Sequence, residues 1–205
     1  MLKLTAQNLA KRFGPRRVFE NISFTLELGQ SIAIVGPNGS GKSTLLRLII
    51  GFSIPSKGKV IFSENGKPLD FDNYRKKLAL VSPYLAMYSS LTARENLRFL
   101  AKVNGDLISN IEIETALARV GLEGRGDDFV SAYSSGMLQR LKYAAAIIKR
   151  PEIFLLDEPT SNLDESGEKI IVDLINQHRK KSIIIIATNE KEEYSLAESV
   201  CQLGG

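Results

Sequence analysis

Three observations predict an α/β fold with a mostly parallel sheet, a small antiparallel β flank and an inserted α-helical lobe. Short, wholly apolar runs such as Ile153 to Leu156 and Ile183 to Ala187 alternate with helix-like segments, as parallel strands covered on both faces do. Near the N-terminus two longer segments alternate with period two around a Gly-Pro turn, the pattern of antiparallel strands. From about residue 88 to 149 the pattern is helical instead, and two capping boxes mark helix starts. The 205 residues are read as a single domain over 1–205, with a core of about 1–85 and 150–205 and the lobe at about 88–149.

Taken in order, Leu2 to Asn8 and Val18 to Glu27 are the antiparallel strands that flank Gly14-Pro15. Ser31 to Val35 is a short apolar strand leading into a glycine-rich loop and a helix from about Lys42 to Ile50, with Gly51 placed as its C-terminal cap. Gly58 to Phe62 and Leu78 to Val81 read as strands, with Asn65-Gly66 as the turn between them. Thr92-Ala93-Arg94-Glu95 and Ser109-Asn110-Ile111-Glu112 each set a hydroxyl three residues before a glutamate, so each satisfies orphan amides at a helix start. A last lobe helix begins at about Ser135 and leads to Pro151. Ile153 to Leu156 and Ile183 to Ala187 then enclose a helix from about Asp164 to Arg179.

Composition excludes several classes. Hydrophobic residues form 43% and charged residues 24% of the chain, enough apolar side chain for a sizeable core. The aliphatic runs Ala144 to Ile148 and Ile183 to Ala187 are far shorter than the roughly 20 residues of a spanning helix, so no membrane crossing is expected. The opening MLKLTAQNLAKRF scatters polar residues where a secretory signal needs an apolar core, which predicts a cytoplasmic chain. Cys201 is the only cysteine and His178 the only histidine, so no internal disulfide, zinc cluster or multi-histidine site is expected. His178 falls near a helix C-terminus beside Arg179 and Lys180, where the dipole favours a cation, and is read as structural or solvated. A net charge of +4 without a basic run longer than three gives no reason to expect a nucleic-acid partner.

Two motifs carry chemistry. Gly36-Pro37-Asn38-Gly39-Ser40-Gly41-Lys42-Ser43-Thr44 satisfies G-x-x-x-x-G-K-[ST] between a predicted strand and a predicted helix. Glycines let backbone N–H groups converge on phosphate oxygens, the helix N-terminus favours an anion, Lys42 brings a charge to the β and γ phosphates, and Ser43 can ligate magnesium. Ile153-Phe154-Leu155-Leu156-Asp157-Glu158-Pro159 runs four apolar residues into two adjacent carboxylates, which alternation sends in different directions. Asp157 can then reach magnesium beside Ser43, while Glu158 can face the γ-phosphate and polarise a water for in-line attack.

With these motifs the chain resembles the ATP-binding subunit of ABC transporters over essentially its whole length, which implies a P-loop NTPase core. Ser134-Ser135-Gly136-Met137-Leu138-Gln139-Arg140 is similar to the family signature, with Tyr133, Ser135 and Met137 as departures. The resemblance implies that Ser134, Ser135 and Gly136 contact the γ-phosphate held by a second subunit, although Ser134 also suits an ordinary helix cap. Ser161-Asn162-Leu163-Asp164 resembles the D-loop that crosses the dimer interface, where Asp164 equally suits a cap. Phe13 stands where the family stacks a ring on adenine, and Leu91 to Leu97 resembles the segment that opens the helical lobe.

Two further departures fall in functional segments. The family's lid-loop glutamine is missing near Ser82-Pro83-Tyr84, and Asn189 follows Thr188 where the family has its switch histidine. The stop at Leu203-Gly204-Gly205 predicts that a closing strand is absent or trimmed. Length and layout are similar to the short cassettes of haem exporters in cytochrome c maturation. The resemblance implies ATP and Mg²⁺ as cofactors, an ATP-dependent homodimer or a heterodimer with a related cassette, a separate membrane-spanning transporter subunit, and a place at the inner face of the membrane. Met137, the missing glutamine and Asn189 also suit a weakly hydrolysing regulatory subunit, and a soluble non-transport member of the family is the third reading.

Overall fold

Residues 1–204 are described by a computed structural model, in which the strands divide between two sheets. Strands β1 (Leu2–Phe13), β2 (Arg16–Glu27), β4 (Lys57–Glu64) and the two-residue β5 (Lys67–Pro68) form an antiparallel sheet in the order β2-β1-β4-β5. Strands β3 (Ser31–Val35), β6 (Leu78–Val81), β7 (Ile153–Asp157), β8 (Ile183–Thr188) and β9 (Ser199–Gln202) form a parallel sheet in the order β6-β7-β8-β3-β9.

Side-chain alternation explains why β7 and β8 are wholly apolar. Phe154, Leu156, Ile184 and Ile186 face one way, into a cluster with helices α3 (Ala93–Val103), α4 (Asn110–Arg119), α5 (Ser135–Ile148) and α6 (Glu165–Arg179). Ile153, Leu155, Ile183, Ile185 and Ala187 face the other way, against helix α1 (Lys42–Ile49) and the antiparallel sheet. Both sheet faces are therefore dry, and a parallel sheet between two covering layers follows. Both capping boxes form: Thr92 N–H donates to Glu95 at 2.8 Å and Ser109 N–H to Glu112 at 3.1 Å.

Three sequence expectations are corrected. The β1–β2 hairpin extends to Phe13 and Arg16, because register slips after Ala6 and Leu9 break the alternation without ending the pairing. Asn65-Gly66 turns the chain onto β5, not Leu78, and helix α2 (Phe71–Lys76) intervenes, capped by Asp70, which accepts from Asn73 N–H at 2.8 Å. Six residues are too few to show a helical period. The closing strand is present as β9, which pairs with β3 and is continued by Leu203 N–H donating to Val35 at 2.7 Å. A largely exposed four-residue edge strand leaves no continuous apolar run to find.

Of the two readings of His178, structural or solvated, the packing favours the structural one. Its ring is half-buried edge-on to Phe154, 5.6 Å between centroids, with Nδ1 2.9 Å from the Leu174 carbonyl. Burial pushes its pKa below the ordinary 6.5, outweighing the dipole argument for a cation. The unfolded chain then binds a proton at higher pH than the folded one, so the His178 contribution to stability is full above about pH 6.5 and is lost as pH falls through that value. Denaturant titrations at pH 7.5 and 5.5 are expected to show a smaller acid loss for His178→Gln than for the parent; equal losses would contradict this assignment.

Candidate active site

Parallel register brings four strand ends to one edge. Val35 lies opposite Thr188, Asp157 opposite Ala187 and Val81 opposite Leu156, so the residues that follow each strand crowd together. Ligands of open α/β sheets bind at this carboxyl edge. The loop from Gly36 leaves β3 and enters α1 at Lys42. A Cβ at Gly36 would stand 2.5 Å from the Leu203 carbonyl oxygen, and one at Gly41 2.4 Å from Val18 Cγ1, so glycine is sterically required at both. Pro37, Asn38 and Gly39 form an exposed crest, and Thr44 is half-buried in the first turn of α1.

Lys42 is buried under this loop. Its Nζ donates to the Gly36 carbonyl at 2.7 Å and the Pro37 carbonyl at 3.2 Å, and among the described residues it makes no ion pair. Its charge is thus aimed at the loop without a carboxylate to neutralise it. Ser40 Oγ is buried beside it with no hydrogen-bond partner. A loop that curls around a free cation and leaves a hydroxyl unsatisfied is built to receive an anion.

Asp157 and Glu158 leave β7 in different directions. Asp157 is buried and accepts from Ser43 Oγ at 3.1 Å and, through its other oxygen, from Ser82 Oγ at 3.4 Å. Burial raises its pKa, a penalty that hydrogen bonds from Ser43 and Ser82 only partly offset and that an adjacent cation would relieve. The pair of hard oxygens, Ser43 and Asp157, fits magnesium. No group of three or more His, Cys, Asp or Glu side chains that could hold a metal exists among the described residues, so an ion on Ser43 and Asp157 would complete its shell mainly with phosphate and water. Glu158 is half-buried and left-handed at φ 50, with its N–H bonded to the Ala187 carbonyl at 2.8 Å. A non-glycine residue in that region costs on the order of 1 kcal/mol, and here the sharp turn directs the second carboxylate away from the first.

The other sequence-derived residues divide. Ser82 and Pro83 follow β6, and the Ser82 hydroxyl joins the site through Asp157. Asn189 follows β8 at the same edge but is exposed, its amide donating to Glu190 at 3.1 Å. Phe13 lies at the hairpin tip, 56% exposed, with Lys11 Nζ 4.9 Å from its ring centroid. Ser134 caps α5 by accepting from Met137 N–H at 3.2 Å, and Asp164 caps α6 by accepting from Gly167 N–H at 2.8 Å. Ser134 and Ser135 are exposed, and Gly136 sits under Asn162, whose carbonyl oxygen a Cβ would meet at 3.2 Å. Ser161 Oγ is buried without a partner.

Sequence reasoning missed Glu193. Its carboxylate is buried and accepts from Thr160 N–H at 3.0 Å, tying the segment after Asn189 to the turn after Glu158, while its second oxygen has no partner. Glu192 and Glu193 are adjacent and chemically alike, so only burial distinguishes them.

A glycine-rich loop around an unpaired lysine, with a serine bound to a buried aspartate on the next strand, defines a nucleoside-triphosphate-binding protein of the P-loop class. The sequence profile of the family described as ABC transporter matches residues 19–161, and the chain belongs to that family. It is 36% identical over 187 residues to the uncharacterized ABC transporter ATP-binding protein YybJ of Bacillus subtilis, covering 91% of this chain and 84% of YybJ. It is 37% identical over 196 residues to the cytochrome c biogenesis ATP-binding export protein CcmA of Rhizobium johnstonii, covering 93% of this chain and 89% of that protein. The solved structure of cbiO1 from Clostridium perfringens, part of the ABC transporter complex cbiONQ, superposes with a TM-score of 0.79 at 27% identity, covering 98% of this chain and 84% of cbiO1. The chain is an ATP-binding, ATP-hydrolysing subunit of the kind that powers a separate membrane-spanning protein. The regulatory and soluble readings draw no support from these relatives.

Proposed function

We propose that this chain hydrolyses Mg–ATP between two cassettes arranged head to tail and passes the resulting closure to a membrane subunit on the cytoplasmic side. The observation that carries this reading is the Ser43–Asp157 contact beside the unpaired Lys42, with Glu158 one residue further on. Lys42 and the loop amides hold the phosphates, Ser43 and Asp157 hold magnesium, and Glu158 orients the attacking water. Magnesium, when bound, neutralises charge on the phosphate oxygens. Phe13 offers an exposed ring for the adenine, and the lid loop at Ser82-Pro83 lies beside the site. No helix among the described residues is long and apolar enough to cross a membrane.

The exposed first turn of α5 supports the dimer. Its leading N–H groups lack intrahelical partners, and Ser134 and Ser135 offer hydroxyls to an anion brought by a second copy or a related cassette. Ser161 and Asp164 stand on the adjacent loop as the segment that crosses between subunits. Ser134→Arg puts a bulky cation there, so ATP binding to the monomer is expected to persist while turnover at saturating ATP falls sharply. Wild-type turnover would leave Ser134 with its helix cap alone.

Asn189 replaces a residue that could carry charge with an amide that can only hydrogen-bond. Wild-type turnover is therefore expected to be slow but measurable. Asn189→His should raise it by up to about 10²-fold with little change in ATP affinity, because the added interaction acts mainly in the transition state. Loss of activity in that variant would show a pocket organised around the amide, here held by Glu190.

A further inference from the structure

Lys142 is a buried cation that the phosphate site does not use. It lies on α5 at 5% exposure, and its Nζ donates to the Pro83 carbonyl at 2.8 Å and the Ser82 carbonyl at 3.2 Å. Among the described residues it makes no ion pair, and burial alone pulls its pKa down. A buried ammonium without a carboxylate is costly, and alanine, leucine or methionine would pack the same helix face at no such cost. Both acceptors are main-chain atoms of the lid loop. Pro83 has no N–H and a restricted φ, so its carbonyl is the one main-chain polar group by which that residue can be held.

The same loop reaches the site by a second contact. Ser82 Oγ bonds Asp157 at 3.4 Å and accepts from Tyr84 N–H at 3.3 Å, while Asp157 in turn accepts from Ser43. A path of direct contacts thus runs from α5 through the Ser82 backbone and hydroxyl to Asp157. The start of α5, Ser134, is eight residues before Lys142, about 12 Å along the helix.

We propose that Lys142 is a positioning residue: its ammonium fastens the lid loop to α5 and so keeps the Ser82 hydroxyl on Asp157. A rigid displacement of α5, such as contact at Ser134 could produce, then moves the lid carbonyls and the orientation of Asp157 together. The inference rests on Asp157 being a magnesium ligand for its last link, but not for the fastening of the lid.

Lys142→Met keeps the volume and removes the donors. Amide exchange at Leu85, whose N–H donates to the Ser82 carbonyl at 3.1 Å, is expected to quicken about tenfold. The magnesium concentration for half-maximal ATP hydrolysis should rise several-fold, while ATP affinity measured without metal stays unchanged. Lys142→Gln, which keeps an N–H donor on a shorter arm, should recover part of both. Unchanged lid exchange and unchanged magnesium requirement in Lys142→Met would overturn the proposal. Ser82→Ala, the fallback if Lys142→Met does not fold, removes one buried hydroxyl and leaves the backbone carbonyls that Lys142 holds, so it should raise the magnesium requirement and leave lid exchange slow; a wild-type magnesium requirement there would overturn the link to Asp157. Asp157→Asn is the control: if it too leaves the magnesium requirement unchanged, the metal-site reading is what fails, and lid exchange alone judges Lys142.

Discussion

Glu158→Gln is expected to lower ATP hydrolysis about 10²- to 10⁴-fold, the range of a single general acid–base group, while ATP affinity persists. The amide keeps the size and much of the hydrogen bonding of the carboxylate but cannot draw a proton from water. The left-handed turn at Glu158 is maintained by main-chain bonds, its N–H to Ala187 and its carbonyl from Ser161 N–H at 3.2 Å, so the substitution leaves the strand end in place. With hydrolysis blocked and binding intact, a closed pair should accumulate. Light scattering in Mg–ATP is expected to show a dimer for Glu158→Gln and a monomer without nucleotide. Undiminished turnover would remove Glu158 from the water-orienting role, and a monomer with ATP would mean that closure needs the membrane partner.

Lys42→Ala is expected to weaken ATP binding by at least about 10²-fold, from loss of charge-assisted hydrogen bonds to phosphate. No other cation takes its place under the loop, and the Gly36 and Pro37 carbonyls that now accept from Nζ would lose their donor. The loop would therefore lose its internal brace as well as its charge. Calorimetric titration with ATP reads the effect directly, and wild-type affinity would refute the phosphate-loop assignment.

Much of this site is local in sequence and was legible there. The phosphate loop is nine consecutive residues, and the chemistry demands glycines at fixed offsets because the backbone itself is the ligand. Asp157 and Glu158 end an unbroken apolar strand, and two capping boxes announced α3 and α4 because a helix start is settled within four residues. The apolar runs of β7 and β8 implied parallel strands covered on both sides, since a strand dry on both faces loses its polar alternation and runs this short, set between helix-like segments, suit strands better than helices. Helix α2 and strand β9 were illegible for the converse reason: six and four residues hold too few turns or alternations to make a pattern.

What tertiary structure alone decided is which distant groups meet. The sequence by itself determined the loop, the strand-end carboxylates and the α/β class, each a property of short-range geometry. It could not place Ser82 against Asp157 across 75 residues, fold the Glu193 carboxylate onto Thr160, or sink Lys142 under the lid. His178 shows the same limit, for its helix end argued for a cation and its packing on Phe154 opposes one. Burial and pairing are long-range quantities, fixed only when strands 31–35, 78–81, 153–157 and 183–188 align their carboxyl ends on one edge. A side chain's charge cost and its partner are set there, by which elements the sheet order makes neighbours.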